Sequence, residues 1–502
     1  MRPTESGALG IGPAGRVGEA EVAQRLLGGD VRFLGSLVAM SDDGERLLDA
    51  FFPYRRRFET RSSLPAEAVS RAHVLAMVDE MASEEDAIAR EGKVSGSIYH
   101  GGEDHFTFLA EVFRRFAHVN VLQRDMYPSA TKFEGEIVAM VASLLHGPEE
   151  ACGVVTFGGS ESLFNAVLVY REHGHERGID GPQVIVPVTG HVAIAKAAHY
   201  LGVEVVHAPV TDEFVVDVDA VRALINPRTV ALFGTAATYP HGLIDPIEQL
   251  SELALEHELG LHVDGCLGGL ILPWGERLGL DIPSWDFRVP GVTSISADTH
   301  KYGYGPKGTG VMLYRSRDLR HRQYFTYADW PGGLYASPGI AGSRSGGLIA
   351  ATWAALVTLG EPGYLAIAER IFQTGAEIRA AVEALGELRV IGDPTFCVAF
   401  RSEELDIYHV NDSLKESGWR MNSLQFPPAL HFCVTLPNTQ PGVTDTFAAD
   451  LSAAVDYAKD PPQAAPRSGA IYGGAGTPEG NVQVNAMLEG VLDAMYQLAP
   501  PA

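Results

Sequence analysis

The sequence predicts an α/β protein: a mostly parallel, doubly wound central sheet followed by a smaller α+β domain. Two observations carry that prediction. From Cys152 to Asp264 short apolar runs alternate with amphipathic helical stretches, the rhythm of β–α–β units whose ligands gather at the carboxyl ends of the strands. Beyond Gly347 helical patterns dominate, and a second, smaller set of strands follows. Composition agrees, since 46% hydrophobic and 20% charged residues in a chain of 502 suit a globular protein with ample core. The organisation expected is a mobile tail and helical segment over 1–94, a large domain over 95–350 and a small domain over 351–502.

Residues 1–30 are rich in glycine and small side chains and are expected to be mobile at least to Gly18. Leu64 to Gly92 fits one or two helices, and Ser95 to Gly102 is a loop carrying Tyr99. Thr131 to His146 reads as a helix, with Phe133, Ile137, Val141 and Leu144 on one face and Gly147-Pro148 as its stop. Strands follow at Cys152–Phe157, Val184–Val188, Val203–Ala208, Val230–Gly234 and Leu261–Val263. Helices are expected between them, from Ser160 to about His173, His191 to Leu201, Asp219 to Ile225, and one opened by an Asp245 N-cap and Pro246. Past Gly347 the pattern gives helices over Leu348–Gly360 and Tyr364–Leu385, then strands at Leu388–Ile391, Cys397–Phe400 and Phe432–Leu436. Asp460 to Gly480 is a loop before a last helix.

The net charge of −25 argues against general binding to nucleic acid or anionic membranes. Ser294–Arg322 departs from that background, with six basic residues (Lys301, Lys307, Arg315, Arg317, Arg320, Arg322) against Asp298 and Asp318. Such an island suits a small anion such as a phosphate, and chance clustering on a solvated surface is the alternative. Cys152, Cys266, Cys397 and Cys433 form no C-x-x-C pair, so they read as buried residues in a reducing compartment, with no zinc site. No apolar run approaches the ~20 residues of a membrane span; Phe33–Met40 is a typical one. Nothing marks a secretion signal, so a cytoplasmic location is expected.

The chemistry concentrates on Ser294–Leu313, where a strand breaks at Asp298-Thr299-His300-Lys301 and a glycine-rich turn carries Lys307 before the next strand. Two lysines on a loop between buried strands mark a functional turn or a solvated hairpin. Two other strand ends join them. Gly158-Gly159-Ser160 links a strand to a helix and points backbone N–H groups at one spot, an anion cradle. Asp264 closes an apolar strand, followed by Gly265, which leaves room for a planar group. Capping is the alternative use of that carboxylate. A cradle, a carboxylate for a pyridinium and a lysine able to form a Schiff base are the requirements of pyridoxal 5'-phosphate. The spacing from Ser294-Ile295 to Lys301 also resembles the lysine signature of decarboxylases that use this cofactor. His191, opening a helix, is placed either to stack on the ring or simply to cap its own helix.

Longer motifs make the resemblance specific. His262-Val-Asp-Gly-Cys-Leu-Gly-Gly, Phe287 to Thr309, Asp329-Trp-Pro-Gly-Gly-Leu-Tyr-Ala-Ser-Pro and Ala341-Gly-Ser-Arg resemble the sphingosine-1-phosphate lyase family, in a match running from about Ser95 to Ile471-Tyr-Gly. The resemblance implies a fold-type I pyridoxal phosphate enzyme, a homodimer with shared active sites, similar to the bacterial members without a membrane anchor. It implies that Lys301 forms the Schiff base and Asp264 pairs with the pyridine nitrogen. Gly159, Ser160 and His300 would lie around the cofactor phosphate, with Ser343 from the neighbouring subunit, and His191 beside the ring. Lys307, Tyr99 and Tyr335 match positions for substrate phosphate or catalysis. The implied reaction is retro-aldol cleavage of C2–C3 in a phosphorylated amino alcohol, giving an aldehyde and phosphoethanolamine, with Lys301, His191 or Tyr335 as base. A group II amino-acid decarboxylase is the alternative. The family pattern places a histidine, expected to help hold the substrate phosphate, where this chain has Gln123, a group that donates hydrogen bonds but carries no charge, with Arg124 next door to supply one.

Overall fold

A computed structural model describes residues 52–54, 56–469 and 477–496. The expected N-terminal tail, the Phe33–Met40 run and Ile471–Gly473 lie outside the described residues. By contact the chain forms two units, one spanning Glu84–Pro462 and the other combining residues up to Ser83 with those from Gln463. The smaller unit contains the start of the helix Arg71–Arg90, which buries none of its residues, an Arg57–Glu80 ion pair at 3.0 Å, and the helix Pro478–Tyr496.

The larger unit is built on seven strands: β1 (Cys152–Thr156), β2 (Gln183–Pro187), β3 (Glu204–Ala208), β4 (Thr229–Thr235), β5 (Gly260–Gly265), β6 (Ser294–Ala297) and β7 (Gly310–Tyr314), in the order β1-β7-β6-β5-β4-β2-β3. The five strands from β6 to β3 are parallel, and β7 runs antiparallel to both β6 and β1. β1 and β6 therefore point the same way. The carboxyl ends of β1, β6, β5, β4 and β2 share one edge, together with the start of β7, because Thr156 pairs with Gly310 and Ala297 with Val311. That edge is where ligands are expected in such a sheet.

Burial explains why these segments are strands: β2, β4, β5, β6 and β7 are buried at every position, rich in β-branched and apolar residues. One face packs under the helices Gly159–Glu176 and Ala193–Leu201, where Leu163, Val167, Tyr170, Ile194 and Ala197 meet Val154, Val186, Phe233 and Met312. Each large apolar side chain buried there contributes roughly 1.5–3 kcal/mol. The second helix ends at Gly202, in the left-handed conformation (φ 65°) that glycine accepts without penalty.

Asp245 departs from its expected role. The helix Ile247–Glu256 has Pro246 at its cap position, and the Asp245 carboxylate instead accepts the N–H groups of Val216 (3.0 Å) and Thr235 (2.9 Å). The two helices expected past Gly347 are both present within Gly346–Glu383, separated where Gly360 leaves helical geometry (φ 54°, ψ −177°) just before Pro362. By length and composition this is the one described helix able to cross a membrane, although its residues Ile349, Ala351, Ala354, Ile371 and Ile378 are buried in the unit. The small antiparallel sheet has the order β10-β11-β13-β12, from β10 (Leu388–Val390), β11 (Cys397–Ser402), β12 (Asn422–Leu424) and β13 (Ala429–Cys433). β13 starts three residues before the expected Phe432, and β12 was not foreseen. A hairpin of β8 (Phe325–Tyr327) and β9 (Tyr335–Ser337) stands apart, its Phe325, Tyr327, Trp330 and Leu334 exposed.

Candidate active site

The turn after β6 is assembled around Asp298. Its buried carboxylate lies 3.0 Å from Lys301 Nζ and 3.7 Å from His300 Nε2, while its Oδ1 has no hydrogen-bond partner. Burial works to lower the basicity of Lys301, but the charge and hydrogen bond of Asp298, together with Cys266 and Asp264, outweigh it and hold the amine above the ordinary lysine range. Burial lowers His300, whose Nδ1 hydrogen-bonds the Thr309 carbonyl. Across the edge, Gly158 turns with φ 99°, and a Cβ there would lie 2.8 Å from the His300 ring. A Cβ on Gly159 would meet Cys266 Sγ at 2.9 Å and Asp298 Oδ2 at 3.0 Å, so only bare backbone fits. Ser160 is exposed in the first turn of the following helix.

Asp264, at the end of β5, is 3% exposed. Its Oδ1 accepts the Cys266 N–H at 3.0 Å and the Ser296 hydroxyl at 3.3 Å. Burial pushes this carboxyl upward, but the nearby His191 imidazole and the Cys266 N–H hold it below the usual carboxylate range. His191 itself is exposed, with Nδ1 accepting the Ala193 N–H at 3.1 Å, so helix capping and proximity to Asp264 occur together. Beside it Thr189 Oγ1 is buried without a partner.

On the other flank Lys307 Nζ sits 4.6 Å from the centroid of the Tyr99 ring, which packs edge-on against Tyr302. Burial, then the Lys301 charge, holds Lys307 below the ordinary lysine range, and Asp298 opposes them. Burial raises the Tyr99 phenol, helped by the Cys433 and Cys397 thiols and by Asp298. The expected basic island thins out here. Arg315 is spent on the carbonyls of Val292, Phe287 and Val289, Arg322 on Glu176 and Asp318, and Arg320 lies over the Tyr324 ring at 5.6 Å, while Lys301 and Lys307 sit on the turn itself.

Gln123, Tyr335 and Ser343 share a separate patch. Ser343 Oγ accepts from Asn120 Nδ2 at 3.0 Å, and the Gln123 N–H donates to the Asn120 carbonyl at 3.1 Å. The Tyr335 hydroxyl lies 3.2 Å from where a Cβ on Gly342 would stand. Arg124 is not free to replace a charge at Gln123, because it pairs with the buried Glu134, which also takes Arg344 at 2.7 Å. Sequence reasoning missed Asp298, Cys266 and Thr189. Asp298 had a usable signal: it follows β6 as Asp264 closes the adjacent β5, three residues before Lys301.

The residues fit pyridoxal phosphate. The glycine turn leaves a cradle that any side chain would fill, Thr189 offers a buried unpaired hydroxyl, and Asp264 is a buried carboxylate across the edge from a lysine. A mostly parallel seven-stranded sheet carrying these groups at one edge defines a fold-type I pyridoxal phosphate enzyme. Residues 93–403 match the pyridoxal-dependent decarboxylase conserved domain. Sphingosine-1-phosphate lyase of Arabidopsis thaliana is 44% identical over 419 residues, covering 81% of this chain and 76% of that protein. The solved sphingosine-1-phosphate lyase of Burkholderia pseudomallei superposes with a TM-score of 0.83 at 48% identity, covering 89% of this chain and 99% of that one. The chain belongs to the sphingosine-1-phosphate lyase family, within the pyridoxal-dependent decarboxylases. Glutamate decarboxylase of Lactobacillus brevis shares the fold, with a TM-score of 0.70 at 20% identity over 81% of this chain and 96% of that one.

Proposed function

We propose that this chain is a pyridoxal phosphate-dependent aldehyde-lyase that cleaves the C2–C3 bond of phosphorylated sphingoid bases, releasing a long-chain aldehyde and phosphoethanolamine. The observation that carries the reading is the pair of lysines on one turn, in a chain of this family: Lys301 against Asp298, and Lys307 against Tyr99. Bound pyridoxal phosphate supplies an electron sink for the pair released as C2–C3 breaks. Lys301 is the covalent anchor for the cofactor. Asp264, held ionised, keeps the proton on the pyridine nitrogen, and His191 flanks the ring. Gly159, Ser160 and His300 receive the cofactor phosphate, while Lys307 with Tyr99 receives the substrate's phosphate. Lys301, His191 and Tyr335 are the candidates to take the 3-hydroxyl proton.

The second patch supports a homodimer. Gln123, Tyr335 and Ser343 cluster around Asn120 and Gly342 beside an exposed apolar hairpin, which suits residues offered to a neighbouring subunit's lysine turn. The domain reading, with a cofactor domain over 95–350 and a small domain over 351–502, is supported by the two sheets falling on either side of Ser345. Four buried, free cysteines support a cytoplasmic setting.

Mass spectrometry of products tests the activity. With sphingosine 1-phosphate the holoenzyme is expected to release a long-chain aldehyde and phosphoethanolamine, and Lys301→Ala is expected to lose both turnover and the visible absorption of the bound cofactor. Carbon dioxide from an amino acid, with no cleavage of any phosphorylated amino alcohol, would overturn the reading in favour of a decarboxylase.

A further inference from the structure

We propose that Asp298 is the positioning residue that receives Lys301 whenever the lysine is not joined to the cofactor, fixing it as a proton donor and not as the base that attacks the 3-hydroxyl. The inference rests on the reading of Lys301 above and adds a role for a carboxylate outside the expected site.

The geometry is that of a dedicated counter-ion. Asp298 is 3% exposed, directly follows β6, and reaches Lys301 Nζ with Oδ2 at 3.0 Å across one helical-type turn. Its other oxygen is buried without a donor, so the Lys301 ammonium at 3.0 Å is its nearest compensating charge, with His300 at 3.7 Å behind it. Glycine is required on two sides to make room: a Cβ on Gly159 would lie 3.0 Å from Oδ2, and one on Gly310 would lie 2.9 Å from Oδ1. A buried carboxylate held this way favours the charged amine, since leaving it unpaired carries the penalty of an isolated buried ion.

Other groups around Lys301 are arranged consistently with that role. Asp264 and Cys266 act on it from β5 and the turn beyond, His300 and Lys307 lie on its own loop, and Lys301 in turn acts on the Cys433 thiol of β13. Only Asp298 reaches it with an ion pair among the described residues. The net effect keeps Lys301 protonated to higher pH than an ordinary lysine.

The proton balance follows. With Lys301 displaced by a substrate that enters as an ammonium, the protons that ammonium gives up would pass to Lys301, which Asp298 Oδ2 would hold as a charged amine. The proton of the 3-hydroxyl goes to a different base, His191 or Tyr335, as C2–C3 breaks. Lys301 would then give one proton to C2 and, as the neutral amine this leaves, would be free to resume its bond to the cofactor, while the proton held by the base would go to the departing amine, which leaves as the ammonium of phosphoethanolamine.

The test uses the full chain freed of cofactor and needs no substrate, so it is separate from the product assay. Reductive methylation with formaldehyde, read residue by residue by mass spectrometry across a pH series, reports the neutral fraction of each amine. Lys301 is expected to label only toward alkaline pH, well after Lys307. In Asp298→Asn its labelling at neutral pH should rise at least about ten-fold, one unit in its titration midpoint, and Asp298→Glu should restore the late midpoint. Early labelling of Lys301 in the unaltered chain overturns the proposal without any variant. An unchanged Lys301 profile in Asp298→Asn overturns it as well.

Discussion

At Lys307 an exposed side chain lays its ammonium over an aromatic ring, and desolvation there together with the Lys301 charge makes it less basic than a free lysine. A phosphate brought beside it would regain that lost stabilisation, because an opposite charge favours the protonated amine. Lys307→Met is therefore expected to raise KM for sphingosine 1-phosphate roughly 10- to 100-fold, corresponding to about 1.5–3 kcal/mol for a charge-assisted hydrogen bond. The visible absorption of the cofactor should be unaffected. A lower kcat at unchanged KM in steady-state kinetics would remove Lys307 from phosphate binding. Gln123 supplies the complementary experiment. It is exposed and neutral, and Arg124 beside it is committed to Glu134. Gln123→His should tighten KM as the pH falls below about 6.5, where an unperturbed imidazole gains charge, while the KM of the parent chain stays flatter. Equal KM profiles for the two proteins would place Gln123 away from the phosphate.

The loop before the long helix is tied to the sheet by one buried carboxylate, in addition to its bonds with the Asn120 segment. Glu134, in the helix Pro128–Leu144, accepts from Arg344 and Arg124, and Arg344 also donates to the Val155 carbonyl of β1 at 3.0 Å. Burial alone would raise the Glu134 carboxyl, and the two guanidiniums hold it down instead. Glu134→Ala leaves Arg344 buried without a partner charge and is expected to destabilise the protein by about 3–5 kcal/mol, seen as a lower denaturant midpoint. An unchanged midpoint would mean that the loop carrying Ser343 is held by other contacts. This ion pair illustrates what sequence can and cannot reveal. The strand–helix alternation was legible because β2, β4 and β5 are apolar runs closed by Gly, Pro or Asp, and the break at Gly360 was legible because glycine precedes proline. The direction of β7 was not, since nothing in Gly310–Tyr314 encodes which way a buried strand runs. Asp245 carried the local pattern of an N-cap, but its carboxylate is claimed by Val216, distant in sequence. The lysine, glycine turn and Asp264 were legible as strand-end residues, whereas Asp298 and Glu134 owe their roles to partners that only folding brings near.

Three buried histidines give the whole molecule a pH dependence. His262 lies between the hydroxyls of Ser294 (2.8 Å) and Ser296 (3.2 Å), His431 bonds the Pro240 carbonyl at 3.0 Å, and His241 packs nearby with Nδ1 unpartnered. Burial lowers each of them from 6.5 to about 4. Their folded-state values lie below the unfolded one, so each contributes stability that is fully present above about pH 6.5 and is lost as the pH falls through about 4. A shift of that size corresponds to about 3 kcal/mol per histidine. Asp245 works in the opposite direction: burial raises it from 3.8 to about 6, so its protonation adds stability over much of the same range. Three histidines against one carboxyl leave a net loss of roughly 6 kcal/mol on acidification below pH 4, a large share of the 5–15 kcal/mol typical of a folded chain. Thermal unfolding across this pH range should therefore show Tm falling steeply below pH 6.5. His262→Gln retains hydrogen-bonding groups for the two serines but has no proton to gain, and it should flatten the slope by about a third of the histidine contribution. A Tm that does not change between pH 6.5 and 4 would mean that these imidazoles take up protons in the folded state as readily as in the unfolded one.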